Sequence, residues 1–297
     1  MRRGSAVSGN PAVPRARKER EAGMTKTILI TGCSSGIGYD AAHRLKAEGW
    51  RVFAACRAEA DVNRLLEEGF ESLRLDYEDA ASVSAAADEV LSRTGGKLDA
   101  LFNNGAYAIP APLEDVSRDA MRTIFEANLI GWHDLTNRVI PAMRAQGGGH
   151  IVNCSSVLGL IGMKWRGAYV ATKFALEGMT DVLRMEMAGT GIKVCLLDPG
   201  PIDTDFRKNA IRQFEKWIDW EKSVRADEYR ASLLDKLYKG GSGGPQWPAS
   251  SVTKKLITAL NSPNPKPRYY VTAPTYVMGF AKRVLSSRML LRILARS

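Results

Sequence analysis

The strongest constraint on the fold is a rhythm that begins at Lys26, where short apolar runs alternate with longer stretches of helical spacing. Thr27 to Ile30 is the first apolar run. A Gly-rich turn from Thr31 to Gly38 follows it, then a helix from Tyr39 to Glu48 that Gly49 ends. Val52–Cys56, Ser72–Leu75, Leu98–Phe102, Ile151–Asn153, Lys193–Leu197 and Arg268–Val271 read as further strands. Helices are expected over Asp61–Glu68, Ala80–Arg93, Ser117–Met143 and Lys173–Met187, the last preceded by its first turns around Tyr169. Strands that alternate with helices predict one α/β domain: a doubly wound parallel sheet of about seven strands with helices on both faces.

Two places in that rhythm carry chemistry. The turn Gly32-x-x-x-Gly36-x-Gly38 follows a strand and opens a helix. Glycine lets a ligand come close to the backbone there, and a helix N-terminus attracts pyrophosphate. The second place is Ser156, at a strand end, with Tyr169 and Lys173 on the next helix. Four residues apart, Tyr169 and Lys173 share a helix face. A fixed ammonium favours the phenolate and is expected to lower the phenol pKa. A serine hydroxyl can hold a substrate oxygen while the tyrosine exchanges its proton. That set suits interconversion of alcohol and carbonyl, with hydride carried by a cofactor.

Together these motifs resemble the short-chain dehydrogenase/reductase family, closely from about Lys26 to Thr204 and loosely beyond. The resemblance implies a Rossmann-type fold and a set of roles. Ser156 lies 13 residues before Tyr169, the family spacing. Ser156, Tyr169 and Lys173 would be catalytic. Asn128 would perturb its helix and hold a water behind Lys173. Gly32, Ser34, Ser35, Gly36, Ile37 and Gly38 would bind the cofactor's phosphates, and Asp76 its adenine. Asn103, Asn104 and Gly105 would line the cofactor from the end of the fourth strand; here the usual Asn-Asn-Ala-Gly reads Asn-Asn-Gly-Ala. Pro199, Gly200 and Ile202 would cover the nicotinamide, Thr204 would hold its carboxamide, and Tyr169 and Lys173 would touch its ribose. The wording Thr31 to Gly38 and Phe53 to Arg57 resembles the hydroxysteroid and retinol dehydrogenase-like branch.

Cofactor choice is legible at the end of the second strand. An acid there holds the adenosine ribose and repels a 2′-phosphate. Cys56 occupies that position and Arg57 follows, so NADP(H) is expected, with Arg57 pairing the phosphate. The substrate is expected to be a small hydrophobic carbonyl or alcohol. A segment from about 203 to 248, rich in aromatic and aliphatic residues and hinged at Gly240–Gly244, reads as a lid over it. The second reading of the chain is a non-catalytic NADP(H)-binding regulatory protein.

Charge settles what the partners are not. The formal charge is +10, yet +4 of it lies in residues 1–23 and +5 in 282–297. The near-neutral body is a poor nucleic-acid platform. Residues 1–23 are expected to be a disordered basic tail, with a start at Met24 or a transit peptide as other readings. The domain is then 24–275, followed by a basic C-terminal helix over 276–297 whose contact is a membrane surface, the body or another subunit. A homo-oligomer is expected. The four cysteines show no C-x-x-C spacing, so free thiols in a reducing cytoplasm and no metal site are expected.

Overall fold

In the computed structural model, residues 25–240 and 245–295 are described. The tail over 1–23 and most of the Gly240–Gly244 joint lie outside them. Among the described residues seven strands form one sheet, all parallel: β1 (Thr27–Thr31), β2 (Arg51–Cys56), β3 (Glu71–Arg74), β4 (Ala100–Asn103), β5 (Gly149–Cys154), β6 (Ile192–Asp198) and β7 (Arg268–Tyr270). Their order is β3-β2-β1-β4-β5-β6-β7. The chain therefore reverses its direction of winding between β1 and β4, and a ligand crevice opens at the carboxyl ends there. The inner strands are apolar on both faces because helices cover both. Ile28, Leu29, Ile30, Phe53, Leu101, Phe102 and Val152 are sealed in this core.

The helices that place the site are α1 (Gly36–Ala47), α2 (Glu59–Glu67), α3 (Ala80–Arg93), α4 (Arg118–Phe125), α5 (Gly131–Ala145), α6 (Gly167–Glu186) and α7 (Phe206–Trp217). Ser117 caps α4 by accepting from the Ala120 amide. The helical region expected from Ser117 to Met143 is interrupted around Asn128: Glu126–Ile130 winds as a wide π-turn between α4 and α5. An extra residue in one turn rotates everything after it, and such turns recur at functional sites.

Beyond β6, α7 and a helical stretch over 226–239 bury Phe214, Ile218, Tyr229, Leu233 and Leu237 in a second apolar cluster, which also contains Tyr107, Ile109 and Tyr169. The aromatic residues expected of a lid thus pack over the carboxyl ends of the strands. The helix α8 (Ser250–Leu260) returns to the body before β7. The basic end is two helices rather than the one expected, α9 (Ala273–Val284) and α10 (Ser287–Leu294): Leu285 turns extended and ends the first, and Ser286 caps the second. Neither buries a large apolar side chain. Tyr276, Val277, Phe280, Met289, Leu291 and Ile293 are each more than half exposed. The first helix, α9, still touches the body, with the Lys282 ammonium 4.6 Å from the centre of the Phe174 ring. Among the described residues no helix is long and apolar enough to cross a membrane.

All four cysteines, Cys33, Cys56, Cys154 and Cys195, are buried and free.

Candidate active site

The carboxyl ends of β1, β4, β5 and β6 border one cleft of about 540 Å³. Its floor is the Gly-rich turn. Gly32 and Gly36 have φ of +67° and +60°, where a side chain is strained. A Cβ on Gly38 would lie 2.3 Å from the Gly32 carbonyl oxygen, and one on Gly32 2.6 Å from the Gly105 Cα. The turn is thus packed backbone on backbone. Ser35, the N-cap of α1, makes no capping bond, so the first amides of that helix face the cleft without a side-chain partner. That is the cradle a pyrophosphate requires.

Thr31 ties this turn to β4. Its Oγ1 accepts from the amides of Asn104 (2.9 Å) and Gly105 (3.2 Å). Asn104 Nδ2 donates back to the Thr31 carbonyl at 3.1 Å. At the exchanged pair Gly105-Ala106, a Cβ on Gly105 would lie 3.3 Å from the Gly32 amide nitrogen, a tight contact that the glycine avoids. Asn103 sits behind the cleft, fully buried. Its Oδ1 accepts from the Tyr77 hydroxyl (2.8 Å), and its Nδ2 donates to Asn153 Oδ1 (2.9 Å) and Thr136 Oγ1 (3.1 Å). Gly38 and Asn128 likewise stand behind the wall. The remaining expected site residues line it.

At the far end of β2, Arg57 and Asp76 face the cleft with Cys56 buried behind them. Burial pushes the Cys56 thiol up to about 12, so it carries no charge at neutral pH. Arg57 is half exposed and lies 3.9 Å from Glu78, at the outer limit of an ion pair. Two neighbours were missed in the sequence. Glu78 also accepts from the Tyr107 hydroxyl at 3.0 Å, and Arg64, on α2, donates to the Ser34 carbonyl at 2.7 Å. Both contacts join segments far apart in the chain, and no local pattern announces them. At the opposite end Thr204 packs on Gly36: a Cβ there would lie 2.8 Å from its methyl. The segment Pro199–Thr204 therefore touches the Gly-rich turn.

Between these ends stand Ser156, Tyr169 and Lys173. Ser156 follows β5 and caps the turn Val157–Gly159, its hydroxyl accepting from the Leu158 amide at 3.1 Å. Tyr169 is in the first turn of α6, its ring 5.4 Å from that of Phe206 on α7. Lys173 is one turn further on, 1% exposed. Its ammonium donates to the Cys154 carbonyl at 2.8 Å and lies 4.5 Å from the centre of the Trp132 ring. Asn128, within the π-turn, spans two elements. It accepts from the Tyr107 amide (3.1 Å) and donates to the Tyr107 carbonyl (2.8 Å) and to Thr172 Oγ1 (3.3 Å). This fixes α6 against the segment after β4.

The electrostatics differ from the expectation in one respect. Burial lowers Lys173 to about 8, with the Cys154, Glu177 and Asp198 groups opposing that fall. Burial raises the Tyr169 phenol well above its ordinary range, and a hydrogen bond with Ser156 works against that rise. The expected lowering of the phenol by Lys173 is therefore not found: desolvation of the would-be phenolate dominates, and what opposes it is the Ser156 hydroxyl. Tyr169 stands as a neutral acid.

Behind Lys173 lies a buried carboxyl pair. Asp198 is sealed at the end of β6, its oxygens without a hydrogen-bond partner among the described residues, and Glu177 accepts from Arg268 at 2.8 Å. Burial and then the Glu177 charge raise Asp198 well above its ordinary carboxylate value.

The family model described as short chain dehydrogenase matches residues 26–215. The uncharacterized oxidoreductase YbbO of Escherichia coli strain K12 is 42% identical over 271 residues, covering 91% of this chain and 94% of that one. Human 17-beta-hydroxysteroid dehydrogenase type 1 is 30% identical over 264 residues, covering 84% and 78%. Human retinol dehydrogenase 8 also matches. A short-chain dehydrogenase structure from Streptomyces avermitilis superposes with a TM-score of 0.74 at 26% identity, covering 92% of this chain and 97% of that one. Fold, cleft and sequence agree: the chain belongs to the short-chain dehydrogenase/reductase family, NAD(P)-dependent oxidoreductases that transfer hydride between alcohols and carbonyls, and is related to its hydroxysteroid and retinol dehydrogenase-like enzymes.

Proposed function

We propose that this chain is an NADP(H)-dependent reductase and dehydrogenase for carbonyls and alcohols borne on apolar bodies, with Tyr169 as its acid and base. The observation that carries the reading is the placing of Ser156, Tyr169 and Lys173 on one wall of the cleft whose floor is the Gly-rich cradle. A bound nicotinamide supplies or accepts the hydride. Ser156 holds the substrate oxygen. Tyr169, neutral and buried, donates its proton to that oxygen as the carbonyl carbon is reduced, and takes it back in oxidation. Lys173 replenishes the proton and holds the ribose. Asn128 keeps α6 in register with the cleft and is the proposed holder of a water behind Lys173.

The preference for NADP(H) rests on Arg57. It lines the cleft beside an uncharged Cys56, and its contact with the exposed side of Glu78 is weak enough to exchange for a phosphate. A charge-assisted bond contributes about 1.5 to 3 kcal/mol, so kcat/KM with NADPH should exceed that with NADH by at least about tenfold. Equal values would remove Arg57 from the role. The double change Cys56→Asp with Arg57→Ala should reverse the preference.

The apolar substrate is supported by the lining residues Leu158, Met163 and Phe206 and by relatives named for hydroxysteroid and retinol. We assign the segment 203–248 as a lid, since Phe206 already meets the Tyr169 ring edge-on. The exposed apolar and basic faces of α9 and α10 support peripheral contact with an anionic membrane surface. Co-sedimentation with anionic vesicles, with and without residues 282–297, tests it. Light scattering without lipid reads out self-association, the other use of such a face.

A further inference from the structure

The substrate end of the cleft holds more positive charge than an apolar substrate requires. Arg166, Arg207 and Arg212 line it, and the acids lining the cleft, Asp76 and Glu78, belong to the Arg57 end. Among the described residues none of the three arginines forms an ion pair with a carboxylate. Arg212 donates to the Asn209 side chain. Arg166 donates only to the carbonyl of its own neighbour, Trp165, at 3.3 Å. A guanidinium offers five donors in a planar fork, so Arg166 retains most of its capacity.

Arg166 is also the most firmly placed of the three. It is the residue before α6, three positions before Tyr169. Its backbone bridges to Ala111, and the Ala111 amide donates to the Trp165 carbonyl at 3.0 Å. Trp165 has φ of +64°, a strained value for a residue with a side chain, which the contact of its ring with Tyr229 helps to hold. The strained residue thus turns the chain where Arg166 meets the cleft. Burial lowers the Arg166 guanidinium and no neighbouring acid offsets it. A partly buried cation without a counter-charge is costly unless something anionic arrives to meet it.

We propose that Arg166 is a specificity residue that binds a carboxylate on the substrate, so that the preferred substrates are oxo or hydroxy acids whose carboxylate is separated from the reacting carbon by an apolar body. This rests on the oxidoreductase reading above and narrows it. The apolar residues Leu158, Met163 and Phe206 accommodate the body, and the planar carboxylate matches the fork of one arginine in two bonds. Arg207 and Arg212 on α7 add positive potential around that end and draw the anion in.

The test compares two aldehydes of equal chain length with NADPH, one ending in a methyl group and one in a carboxylate. The wild type should favour the carboxylate by at least about tenfold in kcat/KM, mainly through KM. Arg166→Met, which keeps the stem and removes the fork, should bring the ratio close to one, and Arg166→Lys should recover part of it. No preference in the wild type, or a preference that Arg166→Met leaves intact, overturns the proposal. Failure to turn over either aldehyde would count against the oxidoreductase reading instead. Arg166 is then decided by titrating the NADP-loaded protein with the saturated fatty acid of that length, followed by tryptophan fluorescence. Binding weakened about tenfold or more in Arg166→Met supports the carboxylate site; equal binding, or none, overturns it.

Discussion

Replacing Lys173 by methionine removes an ammonium from a site that is 1% exposed. Folding lowers this group from 10.5 to about 8. The shift corresponds to about 3 kcal/mol of cost for carrying the charge in the folded protein. Between those two values the unfolded chain binds more protons than the folded one. The stability of the wild type therefore rises with pH across that window: the cost is present in full below about 8 and is relieved as pH approaches 10.5. The methionine variant lacks this dependence. It also leaves the Cys154 carbonyl without its donor, an offset of about 1 to 3 kcal/mol that does not titrate. Burial keeps the Cys154 thiol near 12 and Tyr169 well above its ordinary range, so neither ionises in the window. Urea unfolding followed by tryptophan fluorescence, at about pH 7 and about pH 9.5, should show the wild type gaining about 2 kcal/mol on the variant. A difference that stays constant over that interval would show that Lys173 is not depressed and refute the electrostatic argument.

Tyr169→Phe should reduce turnover by about 10² to 10⁴ while cofactor affinity is kept, and a variant with more than about a tenth of wild-type kcat would remove Tyr169 from its role. Carbonyl reduction should decline as pH rises through about 8, where Lys173 loses its proton, and a rate that stays level to well above that value would contradict the assignment. Gly38→Ala should cost about 1 to 3 kcal/mol and weaken cofactor binding, since its Cβ would lie 2.3 Å from the Gly32 carbonyl oxygen; unchanged thermal unfolding and cofactor titration would contradict the packing. Hydrogen exchange over 206–239 should slow when cofactor and a substrate analogue are bound, and unchanged protection would sink the lid.

The strands were legible because burial on both faces makes each one a continuous apolar run. The start of β4 was misplaced by two residues. Leu98 and Asp99 belong to the apolar run by composition, but the Leu98 amide is taken by Gln146 and the Asp99 amide by Thr27 before the β1–β4 register begins at Ala100. The resemblance placed a perturbation at Asn128, but periodicity alone did not show the π-turn, because one extra residue leaves the hydrophobic pattern almost unchanged over so long a helix. Ser156, Tyr169 and Lys173 could be read because their spacing is set within one strand–turn–helix unit. Glu78, Tyr107 and Arg166 could not, since their positions depend on loops meeting across the ends of the sheet. The phenol's direction was misjudged for a related reason: sequence shows the neighbouring lysine but not the burial that outweighs it.

The four cysteines give the molecule a built-in reporter. Burial raises Cys33 well above the ordinary thiol range and Cys56, Cys154 and Cys195 to about 12. A thiol reacts as the thiolate, so an alkylating reagent meets almost no nucleophile while the sheet is closed. Labelling then proceeds at the rate at which each site opens. Cys33 and Cys56 report on the half of the sheet that carries the Gly-rich turn, and Cys154 and Cys195 on the half that carries Ser156. Labelling that is uniform across all four marks the sheet as one cooperative unit, whereas early labelling of one pair locates a seam between β1 and β4.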